Sequence, residues 1–213
     1  MGMPLRTIST RDALVAEVRR QILSGIMRPG EPLTETSLAA KFGVARPTVR
    51  SALQVLESLH LAQPSLGRSL VVPVLTEADM RDLFFVRAPL ELEAVRVIVE
   101  RGIEPSEARR LLREMSALPA DASWAERVEA HTAFHLALVH ATGSARLNRI
   151  YPALQEEMQL CLAQLHGSYP DPKDLAEEHR RLLDEIVSGN LVRAQREMRE
   201  HLGRALRNLT SPG

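Results

Sequence analysis

Residues 41–53, Lys-Phe-Gly-Val-Ala-Arg-Pro-Thr-Val-Arg-Ser-Ala-Leu, constrain the fold more than any other stretch of the chain. They predict the end of one short helix, a tight turn at Gly43 and the start of a second helix. The first turns of that second helix carry polar side chains suited to an anionic partner, namely Arg46, Thr48 and Arg50. Its other face carries apolar side chains at helical spacing, namely Val49, Leu53 and Leu56. This pattern predicts a helix-turn-helix, whose second helix lies in the major groove of DNA.

The residues around this stretch complete a small domain. An amphipathic helix over 10–24, capped by Thr10, comes before it, and Thr34 is a good cap for the short helix over 35–42. After it, short β-type runs flank residues 64–67 and predict a hairpin. A hairpin placed directly after a helix-turn-helix is a wing.

Charge distinguishes the first third of the chain from the rest. Residues 1–75 hold nine Lys and Arg against five acids, although the whole 213-residue chain has a net charge of zero. A basic segment joined to an acidic remainder is typical of a nucleic-acid reader fused to another module, and a chance imbalance is the alternative. The single cysteine, Cys161, excludes an internal disulfide. Neither a signal peptide nor a run of membrane-spanning length is visible, so we expect a soluble, cytoplasmic protein.

The first third resembles the winged-helix domain of the GntR family of bacterial transcription regulators. The resemblance rests on a run of matching positions, Gly25…Pro29-Gly30…Leu33…Leu38-Ala39…Phe42-Gly43-Val44…Arg46…Val49-Arg50…Ala52-Leu53…Leu56-Glu57…Leu61…Gly67. It implies binding to double-stranded operator DNA. Four positions depart from the family pattern: the Thr-Pro order is inverted at Pro47-Thr48, Ala45 replaces a capping serine, and His60 replaces a glycine.

The candidate DNA contacts follow from this arrangement. They are Thr36, Arg46, Thr48 and Arg50 on the two helices, and Gly67 and Arg68 at the tip of the wing. Arginine reads guanine bidentately or clamps a phosphate, and the wing tip can reach the DNA backbone or the minor groove. The alternative for Arg46 and Arg50 is that they are ordinary solvated arginines.

The remainder of the chain predicts an antiparallel all-helical bundle. Thr76 caps its first helix, and breaks occur at Pro89, near Gly102–Pro105, and at Pro119, Gly143, Pro170–Pro172 and Gly189-Asn190. The predicted helices span 77–85, 87–101, 105–117, 123–141, 144–166, 172–188 and 190–208. The expected fold is therefore mainly α, with a winged helix-turn-helix over 8–74 and a helical domain over 76–209. Bundles of this kind hold ligands between facing helices.

Histidines are the informative residues of this bundle. His131 and His135 are four apart and share a helix face, while His179 and His201 lie on two other helices with apolar neighbours. Neutral imidazole is the commonest metal ligand, so the four histidines form a candidate metal site. The alternative is that some lie at the surface or bond to backbone in the core.

The bundle also resembles the FCD domain, the C-terminal partner in the FadR-type branch of the same family. The matching run is Thr76-Glu…Arg87…Leu90-Glu91…Ala94, Phe134-His135, His179…Ile186…Gly189-Asn190…Ala194…Met198…His201. In metal-binding members an aspartate and three histidines hold a divalent cation, which implies His135, His179 and His201 here, with His131 in the place of the aspartate. An all-nitrogen site prefers Zn, Ni or Cu to Mg, Ca or Mn, so Zn or Ni is the expected cofactor.

The same resemblance implies a site for a small organic acid. Arg87 matches a recurrent arginine and is the candidate effector-binding residue, although a helix-surface role is the alternative. His140 and His166 fall outside the matching positions and are interpreted as surface residues. Cys161 is interpreted as a packing residue.

These features together predict a ligand-responsive transcription regulator rather than an enzyme. The expected form is a homodimer on a pseudo-palindromic operator, without membrane attachment. An acid effector would displace water at the metal, contact Arg87 and shift the helices against the linker at 73–76. Two alternatives remain: a purely structural metal, and a metal-dependent hydrolase, for which no acidic general base is visible.

Overall fold

The computed structural model of the protein describes residues 8–65, 67, 69–165 and 172–210. The chain divides into two compact units, Met1–Val74 and Leu75–Gly213. Helices make up most of both units and the sheet is small, which confirms the predicted mainly α fold class.

The first unit combines three helices with a small antiparallel sheet. In chain order, its elements are α1 (Thr10–Leu23), β1 (Pro32–Leu33), α2 (Glu35–Phe42), α3 (Arg46–Ser58), β2 (Gln63–Pro64) and β3 (Leu70–Val71). The strand order is β1-β3-β2, with Val71 opposite both Pro32 and Gln63. The β2–β3 pair confirms the predicted wing. Strand β1 was not predicted, because two residues are too few to show an alternating pattern.

Local side chains define the ends of these helices. Ser9, and not Thr10 as predicted, caps α1, since its hydroxyl accepts the Asp12 N–H at 3.1 Å. Thr34 caps α2 as predicted and accepts the Ser37 N–H at 3.2 Å. Gly43 ends α2 in the left-handed region with φ 64°, which confirms the predicted turn.

The core of the first unit forms around α3, which packs against both α1 and α2. Its buried residues come from one face of each helix: Leu14, Val18 and Ile22 on α1, Leu38 on α2, and Val49, Ala52, Leu53 and Leu56 on α3. Burial of this face leaves the opposite side of α3 in solvent. The direction in which its arginines point is therefore a consequence of core packing.

The second unit is a bundle whose described part contains six helices. They are α4 (Glu77–Glu100), α5 (Ser106–Ser116), α6 (Trp124–Ala141), α7 (Leu147–Leu165), α8 (Pro172–Val187) and α9 (Leu191–Thr210). Thr76 caps α4 as predicted and forms a capping box with Asp79. The predicted break at Pro89 is wrong, because α4 continues through it. An interior proline removes one helical hydrogen bond, but apolar residues buried on both sides of Pro89 stabilise α4 as one continuous helix.

Helix α4 organises the bundle, because it packs against α6, α7, α8 and α9. A single large core joins most of the helices, including Phe84, Ile98, Leu138, Leu182 and Leu202. Polar side chains are buried among these apolar core residues, and they form the candidate metal centre. Among the described helices, none has the length and apolar character that a membrane span needs.

Candidate nucleic-acid interface and metal centre

Helix α3 presents two arginines to solvent at its N-terminal end. It begins at Arg46 after Ala45, whose methyl side chain cannot cap the helix, and Pro47 occupies one of its first two positions. The side chains of Arg46 and Arg50 are 64% and 62% exposed. Both are therefore available to an external anion.

Glu35, the first residue of α2, contacts both arginines. Its Oε1 accepts Arg50 Nε at 2.6 Å, and its Oε2 accepts Arg50 Nη2 at 3.0 Å. The same Oε2 lies 3.8 Å from Arg46 Nη2. Hydrogen bonding from Arg50, with smaller contributions from the charges of Arg50 and Arg46, lowers the pKa of the Glu35 carboxyl. Glu35 is thus ionised at neutral pH and forms a bidentate pair with Arg50.

A groove of about 740 Å³ separates the helix-turn-helix from the wing. Its lining includes four of the predicted DNA contacts, namely Thr36, Arg46, Arg50 and Gly67. Thr48 is half-buried on the first turn of α3. Arg68 lies outside the described residues. The structure therefore gathers predicted contacts from α2, α3 and the wing around one concave surface.

The four predicted metal ligands meet inside the second unit. His131 and His135 come from α6, His179 from α8 and His201 from α9, and each is at most 3% exposed. One ligand nitrogen of each ring lies within 4.8 Å of the others. The surface alternative is therefore wrong for all four histidines, and the cluster can hold a metal ion.

Burial keeps these imidazoles neutral. It is the main cause that lowers the pKa of His179 to about 4. The pKa values of His131, His135 and His201 lie well below the usual value, first because of burial and then because of neighbouring positive charge. Neutral imidazole is the form that binds metals.

Hydrogen bonds at the outer nitrogens determine two of the tautomers. His135 Nδ1 lies 2.7 Å from Glu91 Oε2, and His179 Nδ1 lies 2.6 Å from the Leu175 carbonyl oxygen. Both oxygens only accept, so each Nδ1 carries the proton and donates it. The two Nε2 atoms, 3.2 Å apart, therefore face each other with lone pairs. Two neutral acceptors cannot bond to each other, but both can bind a cation.

The remaining distances also suit a metal ion. His201 Nε2 lies 3.3 Å from His135 Nε2. Nitrogens bonded at about 2.0–2.1 Å to a tetrahedral metal are separated by roughly 3.3–3.4 Å, which is close to both Nε2–Nε2 distances. The Nδ1 atoms of His131 and His201 are buried and have no hydrogen-bond partner within the described parts of the chain. The donor set therefore fits a divalent cation, and His131 can contribute to it.

Arg87 is buried beside the histidines, so its surface alternative is wrong. Its Nε donates to Glu91 Oε1, which also accepts the Tyr151 hydroxyl at 2.6 Å. Gln155 Nε2 donates in turn to the Tyr151 oxygen. Burial, followed by the charge of Glu91, raises the pKa of Tyr151, so the phenol stays protonated and donates. Arg87 Nη2 is buried and finds no hydrogen-bond partner among residues 8–65, 67, 69–165 and 172–210.

Glu91 joins the arginine to the histidines. One carboxylate oxygen accepts from Arg87 and Tyr151, and the other contacts His135. The sequence did not single out Glu91, Tyr151 or Gln155 as site residues. A signal was present, because Arg87–Glu91 and Tyr151–Gln155 are both polar i,i+4 pairs on faces that also carry core residues.

The other polar candidates are placed more simply. His140 is exposed, as predicted, and His166 lies outside the described residues. Cys161 is buried in the core as a packing residue. Burial raises the pKa of its thiol to about 12, so it is not a reactive thiolate.

Both parts of the chain match known protein families. Residues 10–72 match the bacterial regulatory proteins of the gntR family, and residues 82–204 match the FCD domain. The transcriptional regulator LutR of Bacillus subtilis (strain 168) is 28% identical over 85% of this chain and 92% of its own length. The Probable D-xylose utilization operon transcriptional repressor of Paenarthrobacter nicotinovorans is 28% identical over 91% of this chain and 87% of its own.

Solved structures share the fold. A GntR-type transcriptional regulator from Rhodococcus sp. RHA1 has a TM-score of 0.80 at 24% identity and covers 95% of this chain and 98% of its own. E. coli McbR/YncC has a TM-score of 0.71 at 21% identity, with 95% and 98% coverage. The helix-turn-helix, the wing and the helical domain thus occur together in a known class of protein, and the chain belongs to the GntR family of bacterial transcription regulators, with an FCD domain at its C-terminal side.

Proposed function

We propose that this regulator reads an operator with α3 and the wing, and that a small carboxylate controls it at the histidine-lined centre. Arg46, Thr48 and Arg50 of α3, with Thr36 of α2, would contact double-stranded DNA, and Gly67 and Arg68 would approach the DNA backbone or minor groove. The observation that carries this part is the groove lined by predicted contacts from α2, α3 and the wing. The expected form is a homodimer on a pseudo-palindromic site, acting in the cytoplasm where the chromosome lies.

The DNA contacts are tested with single alanine variants. Arg46→Ala and Arg50→Ala should each weaken binding to duplexes selected from a random library by the wild-type protein. A lost phosphate contact should reduce the salt slope by about one, and a lost base contact should relax specificity at one position. Arg28→Ala, an exposed arginine elsewhere in the unit, is the matched charge control. Unchanged affinity and salt slope in both α3 variants would show that α3 is not the recognition helix.

We propose that His131, His135, His179 and His201 hold Zn or Ni. Support comes from four neutral, buried imidazoles and from the acceptor nitrogens of His135 and His179, which face each other at 3.2 Å. Metal analysis of the purified protein should find about one ion per chain. His135→Ala should lose the ion, and the exposed His140→Ala should keep it. Equal metal content in His135→Ala and the wild type would contradict the proposed ligand set.

We expect the ligand to be an anion because of the charges around the metal site. Arg87 and Glu91 cancel each other, and the four imidazoles are neutral. Glu178 Oε2 lies 3.8 Å from His201 Nδ1, but that carboxylate already pairs with Arg204 at 2.8 Å, so the described residues of this network leave a divalent cation largely uncompensated. Uncompensated buried charge is costly, and a carboxylate offsets one of the two positive charges of the cation. When bound, the cation supplies a Lewis-acid position for one ligand oxygen. Arg87 supplies the other contact, because its Nη2 is a buried donor without a partner in the described chain.

A thermal-shift screen against small carboxylates, with Zn or Ni supplied, tests this assignment. Ligands that raise the melting temperature of the wild type should not raise that of Arg87→Lys, which keeps the charge but loses the planar donor fork. Arg87→Lys should still contain metal. If removal of the metal leaves the ligand response intact, the ion is structural, which is the alternative we retain.

The sign of regulation that we propose is repression, since several relatives are named transcriptional repressors. A ligand can change operator affinity only if it binds two states of the protein unequally, typically with about 1–3 kcal/mol of coupling. Operator binding measured with and without the screened carboxylate should therefore differ by roughly 5- to 150-fold. The hydrolase alternative is set aside, because the family to which the chain belongs consists of transcription regulators.

A further inference from the structure

Glu35 is an acidic residue on a surface that otherwise suits an anionic partner. We propose that Glu35 is a positioning residue that aims Arg50 at a base edge and so determines part of the operator sequence. This inference rests on the proposed reading of DNA by α3. It concerns how one arginine of that helix chooses between bases and phosphates.

The geometry of the pair decides which edge of Arg50 is free. A guanidinium has two edges that can donate a pair of parallel hydrogen bonds, one formed by Nε and Nη2 and the other by Nη1 and Nη2. Glu35 occupies the first edge, with distances of 2.6 Å to Nε and 3.0 Å to Nη2. Nη2 carries two N–H groups, one on each edge, so Glu35 leaves the Nη1–Nη2 edge unused. It can donate two bonds to O6 and N7 of a guanine in the major groove.

The carboxylate also makes Arg50 a poorer phosphate clamp. It cancels one positive charge beside the DNA, and its Oε2 lies 3.8 Å from Arg46, so it reduces the attraction of both arginines for the backbone. A residue selected only for affinity would not carry this charge. A bidentate pair holds the long side chain of Arg50 in one conformation. This fixed orientation offsets the weaker attraction for the backbone only where the direction of the guanidinium matters, which is at a base edge.

The variant Glu35→Gln distinguishes the positioning of Arg50 from a simple effect of charge on DNA affinity. The amide keeps the shape but cannot accept from both arginine nitrogens. The probes are a duplex selected from a random library by the wild-type protein and a scrambled duplex of equal length. Binding to the scrambled duplex should strengthen, because a negative charge is removed. The ratio of specific to non-specific affinity should fall by about 5- to 150-fold, the discrimination of one bidentate arginine–guanine pair.

The matched control is Glu57→Gln, which removes an exposed carboxylate from the last turn of α3. It should strengthen binding to both duplexes equally. Library selection repeated with Glu35→Gln should lose the preference at one base pair, the same pair at which Arg50→Ala loses it. If Glu35→Gln behaves like Glu57→Gln, or loses preference at a different base pair, the proposal is wrong.

A double-mutant cycle provides an independent readout. Once Arg50 is alanine, Glu35→Gln should no longer reduce the specificity ratio, whereas additive effects would overturn the proposal. Should Glu35→Gln fail to fold, Glu35→Asp retains the charge and withdraws it by one methylene, and the same loss of preference is expected. If Arg50→Ala and Arg46→Ala both leave DNA binding unchanged, it is the recognition-helix assignment that fails, and an unchanged Arg50→Ala alone overturns the role of the Glu35–Arg50 pair. If only the Glu35 variants contradict the expected results, the assignment of α3 as the recognition helix stands.

Discussion

At the scale of single residues, His60 carries a backbone conformation that its side chain disfavours. Its φ is 58°, in the left-handed region, and it follows directly on the C-cap of α3. The Leu61 N–H bonds to the Leu56 carbonyl and the His60 N–H to the Glu57 carbonyl, which is the Schellman arrangement that usually contains glycine.

We therefore expect His60→Gly to stabilise the first unit by about 0.5–1 kcal/mol, the relieved strain minus the added freedom of the unfolded chain. Chemical denaturation of the full chain measures this change in the free energy of unfolding. His60→Asn should fall between glycine and histidine, since asparagine tolerates this region, and His60→Val should be less stable than the wild type. Equal stability of all four proteins would contradict the assigned conformation.

The buried histidines make the metal-free protein sensitive to acid. His179 has a pKa of about 4 in the folded chain, against about 6.5 in an unfolded one, so the unfolded state binds more protons between these values. The stability contributed by neutral His179 is thus complete above about pH 6.5 and is lost as the pH falls toward 4.

After chelation, the free energy of unfolding should fall by at least about 3 kcal/mol across this window, since the His179 shift alone is equivalent to that amount and the pKa values of His131, His135 and His201 are also lowered. Denaturation of metal-free protein at a series of pH values measures the fall. His179→Gln should have a shallower pH dependence over the same range, while the exposed His140→Ala should follow the wild type. Identical slopes for His179→Gln and wild type would contradict the burial of a neutral imidazole.

At the scale of elements, α3 begins without a capping side chain although its backbone is ready for one. Ala45 has φ −67° and ψ 142°, the extended conformation of an N-cap residue, and α2 shows what a cap supplies through Thr34. The Arg46-Pro47 start is compatible with a cap at position 45, since proline suits the first turn.

Ala45→Ser should therefore stabilise the first unit by about 1 kcal/mol by satisfying one exposed N–H of the first turn. The opposite change on the neighbouring helix, Thr34→Ala, should destabilise it by a similar amount. Both are measured by denaturation. A cap that stabilises the helix without moving Arg50 should leave the specificity ratio for DNA unchanged, and a loss of specificity would show that the wild-type start is needed for function.

At the scale of the whole molecule, the metal is expected to act on one unit only. All four histidines lie in Leu75–Gly213, and they connect α6 with α8 and α9, which follow it later in the chain. A ligand that binds only the folded state at 100 times its dissociation constant stabilises that state by about 2.7 kcal/mol.

Calorimetry of the full chain with and without Zn should thus raise the melting transition of the helical unit and leave that of the winged unit in place. The winged unit is recognised by its response to His60→Gly. In His135→Ala the same addition of Zn should have little effect. An equal shift of both transitions would argue against a metal site confined to the helical unit.

The sequence by itself determined the local features of this protein. Features that depend on neighbouring residues can be predicted from short stretches of sequence. They include helical periodicity, the turn at Gly43, the Thr34 and Thr76 caps and the hairpin. The i,i+4 spacing of His131 and His135 belongs to the same class. The exception is Pro89, where burial of α4 on both sides overrode a local signal for a break.

Only the tertiary structure decided which polar residues meet. Glu35 and Arg50 are separated by 15 positions, and His135 and Glu91 by 44, so no short pattern relates them. Whether Arg87 lies at the surface or in the core depends on which helices cover α4, and those helices come much later in the chain. Periodicity tells which face of a helix is apolar. The partner packed against that face determines whether a charge on it meets water, a carboxylate or a ring of neutral imidazoles.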